Sequence, residues 1–244
     1  MNQIHSLAPE FRANLKRLLQ GFAEHCEISD RLSGRIEHPL YFHGFKFGAP
    51  VFAFEGPPLD GATQRTIGLI GHNQPNVTLA SDIVLQLIEV ATLRPELAIG
   101  QRLRLLPVSD PVTLELGENA PEDLAKWEVL RFIVDEFRRS AADGLIEVTP
   151  TENRALRIDG TADIALFQVL ASSVGADPRG LPSRPDISPL VPATDRERWH
   201  LRIEVPSSWN HAGEILAVSR FIGRVLEAYA HLAPACVFPF RRTA

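Results

Sequence analysis

Thr66-Ile67-Gly68-Leu69-Ile70-Gly71-His72-Asn73-Gln74-Pro75 is the stretch on which the reading of this chain turns. Thr66 to Ile70 is short and almost wholly apolar, which suits a strand covered on both faces in a parallel or mixed sheet. His72-Asn73-Gln74 then makes a polar turn. Leu79 to Leu93 follows with Ile83, Leu87 and Val90 along one helical face, widened by Val84 and Leu85, and Pro95 ends the helix. In open α/β sheets ligands gather beyond the carboxyl ends of strands. His72, Asn73 and Gln74 are therefore candidate ligand-binding residues. The plainer reading of the same three is a turn whose Asn and Gln bond to their own backbone.

Strand and helix alternate outward from this unit. Upstream, Pro9 to Ala23 spaces Phe11, Leu15, Leu18, Leu19 and Phe22 as an amphipathic helix. Leu40 to Gly48 and Pro50 to Gly56 read as aromatic-rich strands with glycines at turns. Downstream, Arg102 to Val108 reads as a strand, with Ser109-Asp110-Pro111 in a loop. Asn119, Pro121, Glu122 and Asp123 signal the start of a long helix that runs to about Asp143-Gly144. Leu145 to Thr149 is the next strand, and Asp163 to Ser172 is expected to be helical. Ala176 to Pro192, rich in Pro, Gly and Ser, reads as an irregular loop. Leu201 to Val205 is a late strand, and a helix from about Ala212 to Leu232 closes the chain. The expectation is one α/β domain over residues 1–244, with a mixed, largely parallel central sheet flanked by helices.

Composition narrows the function. With 45% hydrophobic and 23% charged residues in 244, the chain has enough apolar material for a sizeable core. A net charge of -5 without clustered Lys and Arg argues against a general nucleic-acid binder. No apolar run reaches the length of a membrane span, and Met1 to Leu7 carries no secretory pattern, so a cytoplasmic protein with two reduced cysteines, Cys26 and Cys236, is expected. Oligomeric state is not legible.

Two further constellations carry possible chemistry. His200, Arg202 and Glu204 alternate with Leu201 and Ile203, so the two-residue strand period puts all three on one face. They form either a binding surface or a solvent-facing row with a weak ion pair. Ser207, Ser208 and His211 lack the Gly-x-Ser-x-Gly elbow of a hydrolase nucleophile, which favours a loop or capping role. Gly68 to Gly71 lacks the third glycine of a dinucleotide fingerprint.

The order of these pieces resembles the zinc carboxypeptidase and aspartoacylase-type deacylase superfamily, from about Tyr41 to Leu232. Gly71-His72-Asn73-Gln74-Pro75 stands in place of the turn that supplies two zinc ligands through His-x-x-Glu. Pro107-Val108-Ser109-Asp110-Pro111 resembles the Asn-Pro loop. Glu147-Val148-Thr149-Pro150 falls where the strand with the third ligand ends, and Ile203-Glu204-Val205-Pro206 resembles the Thr-Glu-x-Pro segment with the catalytic glutamate. The departures from the pattern are specific. Gly71 replaces the histidine, Gln74 replaces the glutamate, and neither Thr149 nor Pro150 is an ordinary zinc ligand. Sliding the register by one residue puts Pro75 at the glutamate.

The resemblance therefore implies a degenerate member without cofactor: a pseudoenzyme or binder of a small molecule or peptide, with His72, Asn73, Gln74 and Arg202 around the ligand. The competing implication is an active metal-dependent amide hydrolase with nonstandard zinc ligands and Glu204 as general base on metal-bound water. A third is a structural subunit with a filled cleft.

Overall fold

The computed structural model describes residues 13–42, 45–61, 63–74, 77–116, 124–162, 166, 186–187, 191–192 and 198–232. In chain order the elements are α1 (Ala13–Ile28), β1 (Leu32–Phe42), β2 (Phe45–Glu55), β3 (Arg65–Gly71), α2 (Leu79–Leu93), β4 (Gln101–Leu106), α3 (Pro111–Leu116), α4 (Leu124–Ser140), β5 (Gly144–Thr151), β6 (Arg157–Ala162), β7 (Asp186–Ile187), β8 (Val191–Pro192), β9 (Trp199–Pro206) and α5 (Ala212–His231). Among the described residues the strands form one sheet, ordered β1-β2-β4-β3-β5-β9-β6-β7, with β8 also on β6. The centre, β4-β3-β5-β9, is parallel. The β1-β2 hairpin joins β4 antiparallel at one side, and β6 joins β9 antiparallel at the other. The mixed, largely parallel sheet read from the sequence is what the chain forms.

Side-chain alternation gives the sheet two different faces. Phe52, Phe54, Ile67, Leu69, Leu103, Leu105, Ile146, Leu201 and Ile203 point to one side, into a core closed by α1, α2 and α5. Val51, Ile70, Leu106 and Leu145 point to the other, where Ile133 and Phe137 of α4 and Ala141 just beyond it cover them. Gly68 lies beneath α4. A Cβ there would come within 2.6 Å of the Ala141 Cβ, so glycine sets how closely that helix can approach.

Several elements depart from the sequence reading. The hairpin strands run Leu32–Phe42 and Phe45–Glu55, so Gly48-Ala49-Pro50 lies inside β2 instead of marking a turn. Leu32 pairs with Phe54 and both are buried, which draws the first strand back well before Leu40. Pro50 is tolerated because β4 pairs only with Phe52 to Glu55, beyond the proline's missing N–H. Pro111–Leu116 is a short helix where a loop was expected to continue, started by Asp110, whose Oδ1 accepts from the Thr113 N–H at 2.8 Å. Arg157–Ala162 is a strand the reading missed. It draws Asp186–Ile187 and Val191–Pro192, inside the expected loop, into short parallel pairing. The start signal at 119–123, Phe11, Cys236 and most of the expected helix at 163–172 lie outside the described residues. No described helix is long and apolar enough to cross a membrane.

Candidate functional site

The ends of β3, β5 and β9 are adjacent because these strands are parallel neighbours. This is the place to which the resemblance assigns a metal. Two residues there decide what it can hold. Gly71, the last residue of β3, faces the Pro107 carbonyl so closely that a Cβ would sit 2.6 Å from the Pro107 O and 3.4 Å from the Ala80 C. Both neighbours are backbone, so position 71 has no room for an imidazole. Gln74 has its amide engaged on both sides. Its Nε2 donates to the Pro150 O at 2.8 Å, and its Oε1 accepts from Ser207 Oγ at 3.4 Å. Ser207 has a single O–H, which lies closer to the Thr151 O at 3.0 Å and is shared between the two acceptors. One neutral side chain thus ties the turn after β3 to the end of β5 and the exit of β9.

Asn73 acts alike on the opposite side of the turn. Its Oδ1 accepts from the Ser109 N–H at 3.0 Å, and its Nδ2 donates to Ser81 Oγ at 3.3 Å. Ser81 Oγ, fully buried, donates in turn to the Pro107 O at 2.7 Å. The Ser109 N–H also reaches the Gly71 O at 3.1 Å, and the His72 N–H donates to the Val148 O at 2.8 Å. Asn73 and Gln74 therefore carry the backbone-fastening role that Asn and Gln side chains take in turns.

His72 points elsewhere, onto the α4 face of the sheet. There it meets Glu147, which sequence reasoning placed on the ligand strand without giving it a role. Glu147 is 3% exposed and is the one charged residue of β5. Its Oε2 lies 3.5 Å from His72 Nε2 and 3.6 Å from His200 Nε2, while its Oε1 accepts from Arg138 Nε of α4 at 2.7 Å. Burial acts to raise the Glu147 carboxyl. The neighbouring imidazoles of His200 and His72 and the hydrogen bond from Arg138 outweigh it and hold the carboxyl well below the usual carboxylate range. The signal for this residue was available: a lone charge inside Leu145-Ile146-Glu147-Val148 has to be paired if it is buried.

His200, Arg202 and Glu204 do share one face, while Trp199, Leu201, Ile203 and Val205 fill the core on the other. Arg202 lies opposite Glu147 on β5 and is half exposed, with Asp159 of β6 at 3.9 Å. Glu204 lies opposite Thr149, and its Oε2 accepts from Asn153 Nδ2 at 3.1 Å. The face so formed carries two imidazoles and a guanidinium around a buried carboxylate that Arg138 neutralises. Such a face offers hydrogen-bond donors to a polar ligand.

A metal does not fit the standard positions. Glycine there has no donor and no space for one, glutamine offers a neutral amide whose nitrogen is bound to the Pro150 carbonyl, and Thr149 and Pro150 are not ordinary zinc ligands. Among the described residues no group of three His, Cys, Asp or Glu is arranged to hold a metal ion. One His-x-x-Glu spacing does occur away from the turn, at His211-Ala212-Gly213-Glu214. It starts α5, where Glu214 Oε2 accepts from the His211 N–H at 3.1 Å as half of a helix capping box.

The fold is that of the zinc carboxypeptidases and aspartoacylase-type deacylases. A metallo-carboxypeptidase from Burkholderia cenocepacia superimposes with a TM-score of 0.63 at 12% identity, over 90% of this chain and 68% of that one. A metallo-carboxypeptidase from Pseudomonas aeruginosa, solved with (2-guanidinoethylmercapto)succinic acid, gives 0.59 at 14% identity over 90% and 68%. An aspartoacylase family protein from Mesorhizobium loti gives 0.52 at 14% identity over 81% and 66%. At these identities the likeness is one of fold. No protein-family model matches the chain, and no curated protein matches its sequence.

Proposed function

We propose that this chain is a degenerate carboxypeptidase-like protein that has lost the standard zinc site and binds a small molecule or peptide without hydrolysing it. The observation that carries this reading is the pair Gly71 and Gln74: one position is filled by backbone, and the other is used to fasten three strand ends together. His72 and Arg202 are the residues assigned to face the ligand, with Asn73 and Gln74 holding the turn beneath them. Hydrolysis on this fold needs a metal to polarise the carbonyl and to activate water. Glu204 has no such partner at the standard positions.

Metal analysis of protein purified without chelator tests the reading, together with assays on peptides and N-acyl amino acids. The expected result is zinc well below one per chain and no hydrolysis above background. One tightly held zinc per chain, removed by chelation together with an activity that Glu204→Gln abolishes, would overturn it. Thermal-shift screening with carboxylated small molecules and short peptides tests the binding half. A hit is expected to be lost in His72→Ala. Hits insensitive to both His72→Ala and Arg202→Ala would place the ligand elsewhere.

A further inference from the structure

Among the described residues, the α4 face of the sheet is not covered along its whole length. Helix α4 lies over β3 and β5, and beside it the face of β1, β2 and β4 holds a hollow of about 350 Å³. The strand register explains the hollow. Ser33 of β1, Ala53 of β2 and Arg104 of β4 form one cross-strand row, so two small side chains lie beside one long one. Arg35 opposite Val51 belongs to the row on one side, and Arg102 opposite Glu55 to the row on the other. Three guanidinium groups from three successive rows thus surround a floor of Ser33, Val51 and Ala53. Volumes of this size are at the lower end of small-molecule sites.

The carboxylates beside these arginines leave the N–H donors of Arg104 without a hydrogen bond among the described residues. Glu37 Oε1 is in contact with Arg35 and lies 3.9 Å from Arg104, too far for a hydrogen bond to the latter. Glu55 Oε1 lies 2.8 Å from Arg102, and its Oε2 accepts from Gln64 Nε2 at 2.9 Å. Arg104 is the central and most enclosed of the three, 21% exposed in its side chain, against 64% for Arg35 and 48% for Arg102. Its guanidinium is 5.4 Å from the centre of the Phe137 ring of α4, which positions it without using its N–H groups. Burial lowers the Arg104 guanidinium below its ordinary value, and the charges of Arg35 and Arg102 add to that against the opposing pull of Glu37 and Glu136. An oxyanion in the hollow would give those donors the partners they lack.

We propose that the hollow between Arg35, Arg102 and Arg104 is a binding site for a small oxyanion, a phosphate or carboxylate group on a low-molecular-weight ligand. Guanidinium forks match both groups geometrically, with two parallel N–H donors for two oxygens. The site lies on the β1-β2-β4 side of the sheet, away from the β3-β5-β9 mouth, and does not depend on how that mouth functions.

Isothermal titration of the full chain at low ionic strength, with inorganic phosphate in one arm and succinate in the other, tests it. Saturable one-to-one binding of either probe is expected, and which probe binds identifies the source of the oxyanion. Arg104→Ala is expected to weaken binding about tenfold, the cost of losing one charge-assisted donor set. Because Arg104 packs on Phe137, the exposed Arg35→Ala gives a second charge variant with little risk to folding. Ala53→Leu fills the floor while keeping all three arginines and is expected to abolish binding. Absence of saturable binding in both arms overturns the proposal. So does binding unchanged in Ala53→Leu, which would mark loose attraction to surface charge without a shaped site.

Discussion

The two faces of this sheet were built under different constraints. The face under α1, α2 and α5 is a continuous apolar layer in which Phe52, Phe54, Ile67, Leu201, Ile203 and Val218 are at most 1% exposed. The face beneath and beside α4 carries Glu147, His72, His200, Arg138, Arg202 and the arginine-lined hollow. Between them, at the strand ends, lies the place where the superfamily pattern expects a metal. There Gly71 abuts the Pro107 carbonyl and the Gln74 amide bonds to the Pro150 carbonyl. The packing face buries mainly hydrocarbon, the strand ends are tied by side-chain hydrogen bonds, and the charged and imidazole side chains lie on the second face.

The sharpest way to break this contrast is to restore the missing motif. Gly71→His with Gln74→Glu recreates His-x-x-Glu at the turn. The imidazole would run into the Pro107 carbonyl and the start of α2, and the new carboxylate would face the Pro150 carbonyl in place of an amide donor. A loss of about 1–3 kcal/mol or more is expected from overpacking alone, read as a lower urea midpoint, with no stoichiometric uptake of added zinc. A double variant as stable as the parent that takes up one zinc would show that the strand ends are still an open address.

Glu147 sharpens the comparison from the other side, because it is a buried charge, whereas the fully buried polar side chains of the opposite face, Gln101 and Ser219, are neutral. Glu147→Gln keeps the shape and removes the charge that Arg138 needs. About 1–3 kcal/mol should be lost at neutral pH. The pH dependence has a definite sign. The folded carboxyl is held below its ordinary value of 4.5, so below that pH the unfolded chain takes up a proton that the folded chain refuses. Stability from this group is complete above about pH 4.5 and falls as pH drops toward the folded value, with a limiting slope of about 1.4 kcal/mol per pH unit. The Gln variant should show a flatter acid limb in urea titrations. An identical acid limb in both proteins would mean that the Glu147 network does not bind charge as described.

How much of this was legible depended on the kind of signal each residue carried. The bounds of α2 were readable because its apolar spacing and Pro95 act locally. The shared face of His200, Arg202 and Glu204 followed from strand period alone. The start of β1 was not readable, since Leu32 to Glu37 becomes a strand through pairing with β2, which is a tertiary fact. Arg157–Ala162 was missed for the same reason: its Asp159 and Gly160 have weak strand preference, and β9 supplies the ladder. Gly71 was read as standing in place of a histidine, but that the Pro107 carbonyl lies against it came only from the fold. The arginine hollow was invisible in the sequence because Arg35, Arg102 and Arg104 meet through two antiparallel pairings.

Glu204 gives the smallest expected effect and the cleanest separation of readings. It lies on the polar face of β9, partly exposed, with one hydrogen bond from Asn153. In Glu204→Gln the amide oxygen can still accept that bond, so the side chain keeps its size and its partner. Stability should change by no more than about 0.5 kcal/mol, as for surface substitutions away from special contacts. If the chain binds and does not hydrolyse, ligand affinity at the His72 and Arg202 face should also be nearly unchanged, because the ring of donors around Glu147 is intact. A general base behaves otherwise: its amide isostere binds substrate normally and turns it over not at all. Parallel measurement of ligand affinity and hydrolysis in this one variant therefore distinguishes a face that holds a ligand from one that cuts it, with folding unchanged in either case.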